Sequence, residues 1–413
     1  MTTIVLLDHP PGDLRADALA PVTTARPLAE VRAGALLIRE RWAAALGRPV
    51  RGVIAASRFA QFEEPGAAPI LADDVVLEAG TLIASSQFAP ALGRARLAPS
   101  AGIVHGDRVV ASVLAVATRV GDVRGDGRGD GRGDGRGDGR GDGARADDSM
   151  VPFDGWELRQ AWDLIGHLPA MLKADGAVLA AELPEPVLPD DVRVIGTHPV
   201  RIAASAIVEP YVVLDATAGA ILIGAHALVR SFSRLAGPFV LGPNSQWMGG
   251  SGATVSVGDS CRANGEMSTS ILCGHANKGH DGFVGHSYLG RWTNLGAGTV
   301  TSNLKNTYGS VNFGGQDTGL QFLGSLLGDH AKTGILTRLT TGSSIGAGAN
   351  VISDDVVTSV LPPFAWGASG DLYELPRFLQ TAERVMARRQ VTLTAAMREC
   401  LTAVYRAAAG DAA

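Results

Sequence analysis

The sequence predicts an α/β domain, then a β-solenoid built on a six-residue repeat, then a helical cap. Three observations carry this. Short apolar runs alternate with helical spacing up to about residue 120. From about residue 192 aliphatic residues recur every six positions, and after Trp366 the apolar spacing becomes helical. The composition agrees: 53 glycines and 5% aromatics suit tightly turning β structure better than a helical bundle.

In the first domain Ile4 to Leu7 reads as a buried strand. Residues 28 to 46 carry Val31, Leu36, Leu37, Trp42 and Leu46 at helical spacing and read as one helix. Val50 to Ala55, Ile70 to Leu77 and Val109 to Ala117 read as further strands. Alternating strand and helix implies a mainly parallel sheet. Residues 121 to 148 differ in kind. Gly-Asp-Gly-Arg recurs there with a period of four, and such a segment buries too little to offset its chain entropy, so disorder is expected. Its Arg-Gly-Asp triplets read as a repeat-expanded surface loop rather than an adhesion motif. The helical pattern resumes from Trp156 to Leu172, and Pro184, Pro186 and Pro189 mark a linker. The expected domains are residues 1–185, 186–370 and 371–413.

In the solenoid, Ile223, Val229, Leu235 and Leu241 lie six apart, as do Phe283, Leu289 and Leu295. So do Leu327, Thr333, Leu339, Ile345, Val351 and Val357. Three six-residue faces make one triangular coil with the aliphatic residue inward, and stacked coils share a core. The phase breaks at 247–254 and at 305–322, which are expected to be extruded loops. The final helical stretch, including Leu379, Val385, Met386, Met397 and Leu401, is expected to cap the last coil's open edge.

Charge and cysteine usage exclude some functions. A net charge of −5 argues against a nucleic-acid-binding surface. Three cysteines without a Cys-x-x-Cys pair fit a reducing compartment. No run approaches the roughly 18 apolar residues of a membrane span, and the first residues lack a signal-peptide pattern. A cytoplasmic protein is expected.

The residues that could do chemistry cluster on the solenoid. His280 sits in Asn277-Lys-Gly-His-Asp-Gly. Asn294 follows after fourteen residues in Asn-Leu-Gly-Ala-Gly-Thr299, and Asn303 nine residues later. Histidine is the natural base near neutral pH. It could take a proton from an attacking amine while the asparagines orient it, Lys305 meets a phosphate, and a backbone N–H near Gly296 to Gly298 holds an oxyanion.

This spacing resembles the acetyltransferase half of the bifunctional enzymes that make UDP-N-acetylglucosamine. Glu266-Met267, Leu304-Lys-Asn-Thr-Tyr308, Gly328-Asp-His-Ala-Lys-Thr-Gly334 and Pro363-Phe-Ala-Trp-Gly367 look like a divergent bacterial branch of that family. The resemblance implies a left-handed parallel β-helix and a homotrimer with sites between subunits. It implies His280 as catalytic base, Asn294 and Asn303 against the sugar, and Ala297 and Gly298 against acetyl-CoA. Phe283, Leu304 and Ser268 stand where the relatives carry substrate-binding tyrosine, tyrosine and lysine.

Residues 21–27 and 34–38 resemble the corresponding segments of sugar nucleotidyltransferases, implying a Rossmann-like nucleotidyltransferase domain. The triphosphate-cradling Gly-x-Gly-Thr-Arg is replaced by Asp8-His-Pro-Pro-Gly-Asp13, and the usual metal-binding Gly-Asp reads Glu78-Ala-Gly80. Thr24, Arg26 and Arg32 are the candidate nucleotide ligands, with Mg²⁺ as the metal of that reaction. The expected partners are a sugar phosphate, a nucleoside triphosphate and acetyl-CoA, with no nucleic acid or membrane. Two other functions compete: a sugar-nucleotide sensor without turnover, and a zinc hydratase using His275 and His280, which would need a third histidine.

Overall fold

The computed structural model describes residues 3–8, 16–93, 102–125, 150–357, 360–367 and 370–410. Most of the Gly-Asp-Gly-Arg insert and residues 9–13 of the segment Asp8-His-Pro-Pro-Gly-Asp13 lie outside these. The insert's first residues, expected to be disordered, instead end the short helix Val120–Gly125.

The first domain is built on a six-stranded sheet. Its spatial order is Met150–Pro152, Gly102–His105, Arg108–Val113, Leu82–Ser85, Ile4–Leu7 and Val50–Ile54. Ile4–Leu7 runs parallel to both its neighbours, and Met150–Pro152 parallel to Gly102–His105. Arg108–Val113 is antiparallel to both of its neighbours. The reversal comes from the two-residue turn Gly106-Asp107, where Gly106 takes φ +59°.

Three elements differ from expectation. The single helix over residues 28–46 is a 3₁₀ turn, a hairpin (Arg32–Ala33 with Leu36–Leu37) and the helix Ile38–Leu46. Gly34 makes that hairpin turn at φ +62°, with Asp175 so close that a Cβ would lie 2.4 Å from its Oδ2. Of the residues at helical spacing, only Trp42 and Leu46 lie in the helix, while Leu36 and Leu37 form one strand of the hairpin. Ile70 to Leu77 is no continuous strand: only a bridge from Ile70 to Val53 and the short Val76–Leu77 remain. Asp73 and Asp74 between them are poor strand formers. Trp156 lies in the strand Gly155–Glu157, and the helices begin at Asp163, whose carboxylate accepts from the N–H groups of Arg159 and Gln160.

Residues 193–366 form a parallel β-solenoid of about ten turns. Its inner core includes Ile223, Val229, Leu235, Leu241, Leu289, Leu295, Leu327 and Ile345, all essentially inaccessible. Phe283 is the exception to the six-residue reading. It is half-buried on the outside, and Val284 takes the inward place.

The first phase break is not an extruded loop. Residues 250–259 form one long strand bent at Thr254 (φ +57°), and Trp247 is buried in the core. The phase slips because these coils are short: Ser251 pairs with Glu266, fifteen residues on, whereas Leu326 pairs with Ser344, eighteen on. The second break is an extruded loop. Tyr288 pairs with Leu326, thirty-eight residues on, and the excursion carries a hairpin whose Phe313 meets Trp162 of the first domain at 5.7 Å.

The terminal helices Leu375–Ala387 and Ala395–Ala409 do not cap the coil's open edge. That edge is closed by the antiparallel pairing of Ala365–Trp366 with Asp371–Leu372. The helices lie along the solenoid's flank because their apolar stripe meets aromatic corners. Phe378 contacts His330 and Phe364, and Tyr405 contacts Phe364. One continuous core therefore joins the first domain, the solenoid's third face (Ile271, Tyr288, Leu326) and the helices. Among the described residues no helix is long and apolar enough to cross a membrane.

Candidate functional site

Coil stacking decides which of the expected site residues meet. The strand Asn277–Lys278 belongs to the solenoid's first face, and His280 stands exposed on the corner that follows. The next coil repeats the pattern. Asn294 bridges to Asn277, and Asn277 Nδ2 donates to Asn294 Oδ1 at 2.7 Å. The corner from Gly296 to Thr299 then lies on the corner holding His280, with Gly298 N–H donating to Asp281 O at 2.9 Å. Gly282 is required there, since a Cβ would lie 2.3 Å from Thr299 O. His280, Ala297 and Gly298 thus share one edge of the prism, with Asn294 on the face leading to it.

Asn303 is placed elsewhere. It begins the extruded loop beyond the second face, where its Nδ2 donates to His286 Nδ1 at 2.9 Å. Burial lowers the His286 pKa, which favours the uncharged ring that this contact requires. Lys305 lies half-buried within the loop, its carbonyl accepting from Tyr308 N–H at 2.9 Å. The structure brings His280, Asn294, Ala297 and Gly298 together and sets Asn303 and Lys305 at the next corner.

The expected oxyanion donors narrow to one. Gly296 N–H donates to Thr333 and Gly298 N–H to Asp281, while Thr299 N–H donates to Gly296. Among the described residues, Ala297 alone in this turn has an N–H without an internal acceptor. Just above it, the exposed side chains of Ile335 and Leu336 continue the edge, and Leu336 N–H donates to Ala297 O.

Lys278 is a residue beside the candidate site that motif reading missed. It occupies an inward position where neighbouring coils carry Ala263 and Leu295, and is 1% exposed. Its ammonium donates to Asn264 O at 3.1 Å and to His280 O, which ties the His280 corner down. Burial pushes its pKa down to about 8. The strict alternation of the strand was the available signal, since Asn277 outward forces Lys278 inward.

The candidate nucleotide ligands of the first domain are largely engaged. Arg26 is 1% exposed; its Nε donates to Asp329 at 2.7 Å and its Nη2 to Glu64 at 3.0 Å. Asp329 belongs to the solenoid, so Arg26 joins the two domains. Arg291 of the solenoid completes the network, bidentate to Asp259 at 2.8 and 3.0 Å and within 3.4 Å of Glu64. Burial opposes ionisation of Glu64, yet Arg26 and then Arg291 outweigh it and hold the carboxyl below its ordinary range. Arg32 bonds Ala35 O through Nη1, while its Nε is buried without a partner. It lines an interdomain cleft of about 780 Å³. Thr24 is half-buried nearby in sequence, its N–H donating to Pro21 O.

Asp8, at the end of the first strand, accepts from Leu28 N–H at 2.7 Å, Ala29 N–H at 3.1 Å and Ser86 Oγ at 2.7 Å. Burial raises its pKa to about 6 despite those donors. Its carboxylate takes the N–H groups that open the turn Leu28–Glu30, the kind of donors that otherwise hold phosphate.

For the zinc and Mg²⁺ readings, the described residues contain no group of three or more His, Cys, Asp or Glu disposed to hold a metal ion. His275 packs on Trp292 with ring centroids 4.0 Å apart, and its Nδ1 lies 3.3 Å from Asp259 Oδ2. It stands at the corner before the first face and His280 at the corner after it. Glu78 is exposed and belongs to no such group.

Residues 12–183 match the family described as sugar nucleotidyl transferase. A bifunctional protein GlmU from Jannaschia sp. (strain CCS1) is 28% identical over 182 residues, which is 42% of this chain and 35% of the relative. The chain spans about a third of the length of that curated relative.

Proposed function

Taking the chain as a divergent relative of the bifunctional GlmU protein, with a sugar nucleotidyl transferase domain at its start, we propose that it is a transferase of sugar-nucleotide biosynthesis whose solenoid acetylates a hexosamine 1-phosphate. The observation that carries the reading is the shared edge: an exposed histidine, an unengaged Ala297 N–H on the corner above it, and Asn294 on the adjoining face. The amine of the sugar attacks the thioester carbonyl of acetyl-CoA. Its proton passes to His280, the Ala297 N–H receives the developing oxyanion, and the C–S bond breaks as the amide forms. His280 then returns the proton to the departing CoA thiolate. Lys278 acts through the backbone by holding the His280 corner.

The acceptor differs from the familiar one in its contacts, because Phe283 and Leu304 offer no phenol and Ser268 no ammonium. The assembly is a homotrimer in this reading. Ile335 and Leu336, 72% and 69% exposed on the same edge as His280, supply an apolar strip for a second copy. The nucleotidyl half joins a nucleoside triphosphate to the sugar 1-phosphate and releases pyrophosphate. A second reading of that half alone, nucleotide-sugar binding without turnover, is favoured by Asp8, whose carboxylate already takes the N–H groups of Leu28 and Ala29.

The test is CoA release from acetyl-CoA by the purified full chain with a panel of hexosamine 1-phosphates. Release that requires one of them supports the proposal, and none with any acceptor contradicts it. Pyrophosphate release from nucleoside triphosphates and sugar 1-phosphates, measured in parallel, separates a working nucleotidyl half from a binding one.

A further inference from the structure

A groove of about 350 Å³ lies between the solenoid's first face and the end of the helix Leu375–Ala387. Arg262 and Lys332 enter it from the solenoid, and Arg388 and Arg389 from the end of the helix, with the amides of Asn277 and Asn294 between them. No carboxylate lines it. None of these four cations takes part in an ion pair among the described residues.

Their hydrogen bonds within the fold go to neutral groups. Lys332 Nζ donates to His330 O at 2.8 Å and Arg389 Nη1 to Ser260 O at 3.4 Å. Arg262 Nε is buried with no partner at all. Carbonyl acceptors satisfy donors but cancel no charge. Burial lowers the Arg389 pKa, and the nearby Arg262 and Arg388 lower it further. Burial likewise pushes Lys332 down to about 8. Arg262, Arg388 and Arg389, gathered at one end of this partly desolvated groove, repel one another unless an anion joins them, while Lys332 stands three strands along the face from Arg262.

We propose that this groove binds a phosphate or diphosphate ester, its charged end held by Arg262, Arg388 and Arg389 and its hydroxyl-bearing end by Asn277 and Asn294, with Lys332 at the far side of those amides. Guanidinium groups match phosphate oxygens bidentately, and two neighbouring amides suit sugar hydroxyls. The volume accommodates a sugar phosphate or the diphosphate segment of a larger molecule. Sugar 1-phosphates, nucleotide sugars and CoA share this chemistry. The groove's uncompensated charge stands whether or not His280 transfers an acyl group.

Calorimetric titration of the full chain with pyrophosphate, glucosamine 1-phosphate, UDP-N-acetylglucosamine and CoA tests the proposal. At least one should bind, and Arg389→Gln should weaken that ligand by about tenfold or more, the loss of one charge-assisted contact. Arg388→Glu changes an exposed residue, and its loss of affinity should be at least as large; it keeps the test open should Arg389→Gln fail to fold. The ligand whose affinity falls identifies the source. Binding of all four ligands unchanged in Arg388→Glu, or no binding of any by the parent, overturns the proposal.

Discussion

Two sets of cations flank the same solenoid and differ in what surrounds them. At the domain interface Arg26 and Arg291 are buried, and each reaches carboxylates of Glu64, Asp259 or Asp329. In the groove beside the helix Leu375–Ala387, Arg262, Lys332, Arg388 and Arg389 have no carboxylate partner among the described residues, and Lys332 and Arg389 donate to carbonyls. The first set has its counter-charge built into the fold and therefore holds domains together. The second lacks one and is open to a ligand. A basic residue in a sequence does not declare to which set it belongs; the neighbours that folding brings to it do.

The largest effect that could break this comparison is at Arg26. Arg26→Met should cost about 3–5 kcal/mol in denaturant unfolding, because it leaves Asp329 and Glu64 buried with one cation fewer. A parent-like midpoint without ligand would return Arg26 to the nucleotide-binding role expected of it from sequence.

Asp8 sharpens the same point through pH. Its folded pKa of about 6 stands above the ordinary 3.8. The folded state then binds the proton more tightly than the unfolded state between those values. The stability tied to this group is complete below pH 3.8 and is lost as pH rises through 6. At about 1.4 kcal/mol per unit this amounts to ~3 kcal/mol. Asp8→Asn removes the titration, so the variant's stability relative to the parent should rise across that window. A constant difference from pH 4 to 7 would show that Asp8 is not buried as described.

The smallest effect is expected where an ion pair faces water. Arg398 and Glu383 lie 2.9 Å apart but are 38% and 55% exposed. Arg398→Ala should change stability by less than about 1 kcal/mol. A loss as large as that at Arg26 would mean that burial is not what separates structural from incidental pairs.

Much of the fold was legible because the solenoid repeats its inward residues, and Leu327 through Val357 kept their six-residue phase into the core. Where coils shorten, as from Ser251 to Glu266, the phase slips and reads as a loop. The helix expected over residues 28–46 misled for another reason. Buried residues there serve a hairpin and a helix in turn, and Asp175, distant in sequence, fixes the turn at Gly34. Of the candidate site, stacking brings His280, Asn294, Ala297 and Gly298 to one edge and its adjoining face. Lys278 and the groove cations were missed because their roles depend on strand alternation and on a helix from the end of the chain.

The central claim is that the chemistry of the solenoid resides on its exposed edge at His280 and not at the buried interface. The most direct measurement is acetyl-CoA-dependent acetylation of a hexosamine 1-phosphate by parent and His280→Ala in the same assay, with unfolding midpoints for both. The account predicts a rate loss of about 10²–10⁴-fold from removing a general base with an unchanged midpoint, since the ring is exposed. A parent-like rate in His280→Ala would contradict it.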